Sequence, residues 1–337
     1  MRGAIGLLAI PFLVVLARAD TPRKPGADPA ALSERATMLA PIQIDSLTLT
    51  PIVATGTRGK QVEVLTLDQG MAAKQVKIKE KIDSDDVNNL TLINSSNQPL
   101  FVLAGEVIIG GKQDRIIGKN TVIPANTTQT VPVFCVEHGR WDNSSKEFTT
   151  AKALAHGRLR GQASFAAQQD VWNEVNAKNR ARGTGNDTDT YRKVAKQQQD
   201  GTMKQWMTKV DGALAKIPAA DRARMIGYAV SLNGKVATVD MFQSPGLFKK
   251  LEGKLVQSYV TDAVDIKVSR NVKAPTPTDV KDFIADAETA AAQQSYETKA
   301  SSTTVHDGKR AAKAKVMMRM GDAASSPATV YENYQVK

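Results

Sequence analysis

The residues best suited to chemistry fall in two stretches, Gly105-Glu-Val-Ile-Ile-Gly-Gly-Lys-Gln-Asp-Arg115 and Pro132-Val-Phe-Cys-Val-Glu-His-Gly-Arg-Trp141. Glu106 and Glu137 stand in otherwise apolar runs. A carboxylate carried into a core needs a cation or a raised pKa, and a carboxyl so perturbed can serve as general acid or base. Lys112, Arg115 and Arg140 supply cations able to hold an anionic group. Gln113 adds an amide and Trp141 a ring to stack on. Gly110 and Gly111 let the backbone approach a ligand or simply turn. Glu106, Lys112, Arg115, Glu137 and Arg140 are therefore expected to converge on one site. The same residues fit a second reading, an ion-pair network that only pins strands together. An exposed cleft beside Glu106 and Arg115 would favour the ligand site; burial in mutual salt bridges would favour the network.

Other templates find no support. There is no P-loop, no G-x-G-x-x-G and no G-x-S-x-G elbow. His138, His156 and His306 are too scattered for a zinc signature, so no metal site and no particular cofactor is implied. Cys135 is the one cysteine. It alternates with apolar residues and reads as a buried free thiol rather than a nucleophile. Trp172 and Trp206 recur at helical spacing with apolar neighbours and read as helix core.

The elements that must carry these residues change character along the chain. Short alternating runs at Gln61 to Leu67, Gln75 to Lys79, Asn89 to Ile93 and Thr121 to Val136, parted by turn clusters, read as strands. The expected class is α+β, with a β-rich N-terminal half of short strands, sandwich- or barrel-like, over 41–145. A mixed helix and hairpin half follows over 146–337, possibly packed with the first as one domain. Asn233-Gly234 between two β-like runs is a hairpin signal, because both turn residues need positive φ. Ser244-Pro245 and Thr276-Pro277 read as helix starts, and 186–201 as a polar helix.

Residues 1–19 have a positive start, an apolar run from Ala4 to Leu16 and an A-x-A pattern at 17–19. That is the form of a cleavable export signal, and the run is short for a membrane span. Cleavage after Ala19 would make the protein secreted or periplasmic. An uncleaved anchor is the alternative. Residues 20–40 read as a linker. The net charge of +11 permits anionic partners, but the basic residues are dispersed among acids and no nucleic-acid motif occurs.

The runs GEVIIGGKQDR and VIPANTTQTVPVFCVEHGRW resemble the signature of a domain family associated with ADP-ribosylglycohydrolases and rhodanese-type phosphatases. The resemblance continues through VWNEV at 171–175, the hairpin at Asn233-Gly234, and MFQSPGLFKKL to SYVTDA at 241–263. It implies a role near ADP-ribose or NAD-derived metabolites, with no established reaction. Glu106, Lys112, Gln113, Arg115, Glu137, Arg140 and Trp141 all match the motif. Asp114 stands where the resemblance leads one to expect Asn, and His138 where it leads one to expect Gln. The combined expectation is an exported protein that binds an ADP-ribose-like anionic small molecule, with processing of it as an extension of that role. The alternative is a non-catalytic extracytoplasmic interaction or structural domain.

Overall fold

The computed structural model describes residues 31–56, 63–81, 86–140, 147–165, 167–198, 201–319 and 327–337. The export signal at 1–19, the first part of the linker and Trp141 lie outside them. A 3-10 turn (Leu32–Arg35) leads into β1 (Ala36–Met38), β2 (Ile42–Ile44) and β3 (Leu47–Ala54). Next come β4 (Leu65–Thr66), α1 (Leu67–Ala72), β5 (Val76–Glu80), β6 (Asn89–Asn94), β7 (Leu100–Val102) and β8 (Glu106–Gly110). β9 (Arg115–Ile117), β10 (Thr121–Ile123), β11 (Thr127–Cys135) and β12 (Glu147–Leu154) complete the β-rich part. Helices α2 (Gly157–Phe165), α3 (Gln168–Arg182), α4 (Arg192–Gln197), α5 (Gly201–Leu214) and α6 (Ala219–Arg222) follow. The remainder is β13 (Met225–Leu232), β14 (Lys235–Phe242), α7 (Pro245–Ala263), α8 (Pro277–Glu288), β15 (Ala292–Glu297), β16 (Ser301–Asp307), β17 (Ala311–Met318) and β18 (Ala328–Val336).

The class is α+β, as expected. Six strands close a barrel in the order β11-β6-β5-β12-β8-β9. Its interior is filled by alternate residues such as Ile78, Leu90, Leu92, Ile108, Ile117 and Val133, the period-two consequence of the pleat. A nine-stranded sheet runs β1-β3-β13-β14-β18-β17-β16-β15, with β2 also on β3. α7 and α5 cover one of its faces, through Leu247, Leu251, Leu255 and Val210. α8 covers the other, through Val280, Phe283 and Ile284. A fourth cluster joins the outside of the barrel, at Val107, Ile116 and Val136, to α2, α3 and α4.

The chain crosses the division read at residue 145. β3 pairs with β13 in the large sheet, and β12 pairs with β5 and β8 in the barrel. The linker expected over 20–40 ends early, because Ala36–Met38 pairs with Ile52 to Ala54. The alternating run at 61–67 is not one strand. Its described part is two strand residues, then a helix that starts at Leu67 because Thr66 and Gln69 form a capping box. The polar helix expected over 186–201 shrinks to α4. Asn233 and Gly234 do adopt positive φ, 47° and 77°, and Ser244 and Thr276 cap their helices.

Candidate functional site

The β8–β9 turn and the end of β11 meet at an outer face of the barrel, and there the motif acids gather cations. Gly110 and Gly111 make the turn at φ 126° and 53°. A Cβ on Gly111 would lie 2.2 Å from Phe148 and 2.6 Å from Glu80, so only glycine fits. Asp114, fully buried, accepts from the Gly110 amide at 3.1 Å, Arg140 at 3.3 Å, the Thr190 hydroxyl at 2.8 Å and both Nε and Nη2 of Arg192 at 2.9 and 2.6 Å. Glu137 accepts from the Asp114 amide and Arg140 Nε, each at 2.9 Å, and from the Thr188 hydroxyl at 2.9 Å. Gln113 donates to the Glu137 carbonyl at 2.8 Å, and Arg140 Nη1 to the Gly111 carbonyl at 3.0 Å. The hydrogen bond to Asp114 holds the Arg192 guanidinium more firmly protonated than usual. This is a clamp between the barrel and the segment linking α3 to α4.

The expected convergence of five charged residues holds for Glu137 and Arg140 and fails for Glu106. Glu106 is buried on another flank, where it accepts from Lys254 at 2.8 Å and the Leu103 amide at 3.1 Å. Lys254 also reaches Asp68 at 2.5 Å. Burial pushes the Glu106 carboxyl up, against the pull of Lys254. The reason for the split is position along the strand. Glu106 begins β8 and is held by α7, whereas the clamp forms past the far end of that strand. Arg115 also departs. It pairs in register with Ile108 and Cys135 and so shares the inward face with Ile117. Among the described residues its Nη1 reaches only the Asp114 carbonyl, at 3.3 Å, and the buried Nε and Nη2 have no partner. No cleft opens on Glu106 or Arg115, both at most 1% exposed. Lys112 is partly buried, and its amide donates to Glu80 at 2.8 Å. Cys135 is a buried free thiol that burial pushes up.

Beyond the clamp the chain frames an open pocket of about 440 Å³, lined by His138, Gln169, Trp172, Asn173, Asn176, Arg180 and Asp189. The clamp sets two of its walls. Thr188 bonds Glu137 and its carbonyl accepts from the Gly139 amide at 3.0 Å, which places His138 and Asp189 against α3. Asp189, at φ 50°, accepts from Asn176 at 2.8 Å and Asn179 at 3.0 Å. The His138 ring stands edge-on to Trp172 with centroids 4.6 Å apart. The Trp172 indole Nε1 is buried and has no hydrogen-bond partner among the described residues. Positions 169, 172, 173, 176 and 180 lie on one side of a helix with about 3.6 residues per turn. The pocket thus offers a ring, amides, and a guanidinium that hydrogen-bonds Asn176.

Trp172 is therefore a pocket wall and not the core residue its spacing suggested; Trp206 is partly buried against the main core. The missed signal was Gln, Asn and Arg recurring on the polar side of α3. Among the described residues no group of His, Cys, Asp and Glu could hold a metal, and no helix is long and apolar enough to cross a membrane. A family model described as ARG and Rhodanese-Phosphatase-superfamily-associated Protein domain matches residues 35–328. No curated protein and no solved structure matches the chain.

Proposed function

We propose that this chain, which belongs to the family of ARG and Rhodanese-Phosphatase-superfamily-associated Protein domains, is an exported module that binds a small anionic molecule carrying a ring. The ligand sits in the pocket on α3. The observation that carries this reading is one open pocket on one side of α3 that brings together the Trp172 ring, the Arg180 guanidinium and three side-chain amides. A pocket with one aromatic wall and a few convergent polar groups is the usual form of a ligand site. Arg180 supplies the anion contact and Trp172 the ring contact. ADP-ribose has both features.

The charged motif supports the pocket from behind and does not meet the ligand. Asp114 and Glu137 are buried and receive donors from within the chain, so neither is placed to exchange a proton with a substrate. That favours the structural reading for Glu137, and for Glu106 in its separate pair. The test is titration of the full chain with ADP-ribose, adenosine monophosphate and inorganic phosphate, followed by calorimetry. Arg180→Ala and Trp172→Ala should each weaken binding by about tenfold or more, the worth of one charge-assisted hydrogen bond or stacked ring. Arg180 is exposed, so its loss should leave the melting temperature nearly unchanged. If wild type binds none of the three at millimolar concentration, the reading fails. Export has its own check. N-terminal sequencing of native protein should begin at Asp20, and a retained Met1 would mean an anchor.

A further inference from the structure

A second pocket, of about 430 Å³, opens on the adjoining side of α3. Its polar lining is Arg158, Gln162, Asp170, Asn173, Glu174 and Lys178, two cations against two acids, and Ala177 and Ala181 form a low apolar wall. Of these only Asn173 also lines the first pocket.

Behind Glu174 the hydrogen bonds fix where the protons are. The His156 amide donates to the Tyr191 hydroxyl oxygen at 3.2 Å, and the same hydroxyl lies 2.9 Å from His156 Nδ1. The Glu174 carboxylate can only accept, so the hydrogen of the neutral ring is on Nε2, which donates to it at 2.9 Å, and Nδ1 accepts from the phenol. Arg158 Nε holds the other Glu174 oxygen at 3.0 Å. His156 and Tyr191 are fully buried. Glu174 is thus a carboxylate fixed in place at the pocket edge, its side chain 11% exposed.

The charges at the pocket select the ligand class. Glu174 is already balanced by Arg158. Lys178 is spent on Asp265 at 3.0 Å and the Thr261 carbonyl at 3.2 Å. A cation would have to compete with Arg158, and an anion would meet Glu174 and Asp170. A neutral molecule rich in hydroxyls meets neither cost, and it needs acceptors and donors interleaved on a short length scale. Glu174 and Asp170 accept; Arg158, Gln162 and Asn173 donate. The two alanines leave room for the C–H face of a ring. We infer that this pocket is a binding site for a neutral sugar, separate from the anion pocket.

The experiment is calorimetric and NMR titration of the full chain with glucose, galactose, mannose, N-acetylglucosamine and ribose. Butylammonium and inorganic phosphate serve as charge controls. At least one sugar should bind at millimolar concentration. Glu174→Gln should weaken it by about tenfold or more, as loss of a charged acceptor does. Gln162→Ala, which leaves the His156 relay intact, should weaken it too, and Arg180→Ala should not. No binding by any of the five sugars overturns the inference. So does sugar binding indifferent to both Glu174→Gln and Gln162→Ala, or butylammonium bound in preference to every sugar. Anion binding lost in Arg180→Ala with sugar binding kept would separate this site from the first.

Discussion

Arg115 and Lys254 are buried cations in opposite situations. Lys254 touches two carboxylates, Glu106 and Asp68, and their attraction outweighs burial to hold its ammonium more firmly protonated than usual. Arg115 lies fully inside the barrel wall and makes no ion pair among the described residues. Removing one partner of a buried pair strands the other, at about 3–5 kcal/mol, whereas replacing a buried charge by a hydrophobe of similar size is often neutral or better. Lys254→Met should therefore be strongly destabilising. Arg115→Met should unfold at the same urea concentration as wild type or a higher one, with anion binding unchanged. A large loss in Arg115→Met would mean that the guanidinium is held by a group the folded protein cannot do without. One pair of urea titrations compares the two directly.

The clamp around Asp114 is what joins the β8–β9 turn to the segment between α3 and α4. Asp114→Ala removes the acceptor for Arg140, Thr190 and Arg192 together. Arg192 is 35% exposed and Arg140 24%, so both can rehydrate. The expected cost is about 2–3 kcal/mol, below that of a sealed pair. Hydrogen exchange should quicken at 184–192 while β6 and β11 keep their protection; unchanged exchange at 184–192 would show that the clamp does not hold that segment. Local elements were legible in the sequence where short-range chemistry decides them: the Asn233-Gly234 hairpin, the Ser244 and Thr276 caps, the strands of the barrel. β15 and β16 were not. β15 is almost wholly exposed, and the buried alternation of β16 runs through Ser301 and Thr303, whose hydroxyls bond the Val122 amide and the Asn120 carbonyl, so no hydrophobic period marks either. Nor could Glu106 be separated from Glu137. The cation that claims Glu106 is on α7, 148 residues away, and nothing local announces that contact. Trp172 was misread for a related reason. Spacing assigns a helix face, but which side faces the barrel depends on how the helix docks.

At the scale of the molecule, polar contacts bind barrel, helices and sheet together, and a group of them converges on His156 and the start of α2. His156 follows β12 out of the barrel, bonds Glu174 of α3 and Tyr191 before α4, and precedes Gly157, whose amide donates to Asp262 of α7 at 2.7 Å. Arg160, one helical turn on, pairs with buried Asp240 of β14 at 2.9 Å, and Tyr259 and Tyr331 donate to the same carboxylate. Burial, and next the charge of Lys178, hold the His156 imidazole below its ordinary value, against the opposite pull of Glu174 and Asp262. Unfolded, it titrates near about 6.5. Above that pH both states are neutral and this group contributes no slope. Below it the unfolded chain takes a proton that the folded chain refuses, so stability falls as pH drops, by up to about 1.4 kcal/mol per unit, until the lowered folded value is reached. Asp240 and Glu174, both held low, contribute stability that is lost only at more acid pH, as pH falls through their folded values. Urea unfolding of wild type from about pH 8 to 5 should therefore show a decline setting in near pH 6.5. His156→Gln, which does not titrate, should be less stable than wild type at pH 8 and show a shallower decline. If wild type is flat across that range, or His156→Gln declines as steeply, the barrel-to-helix joint does not carry a buried neutral imidazole.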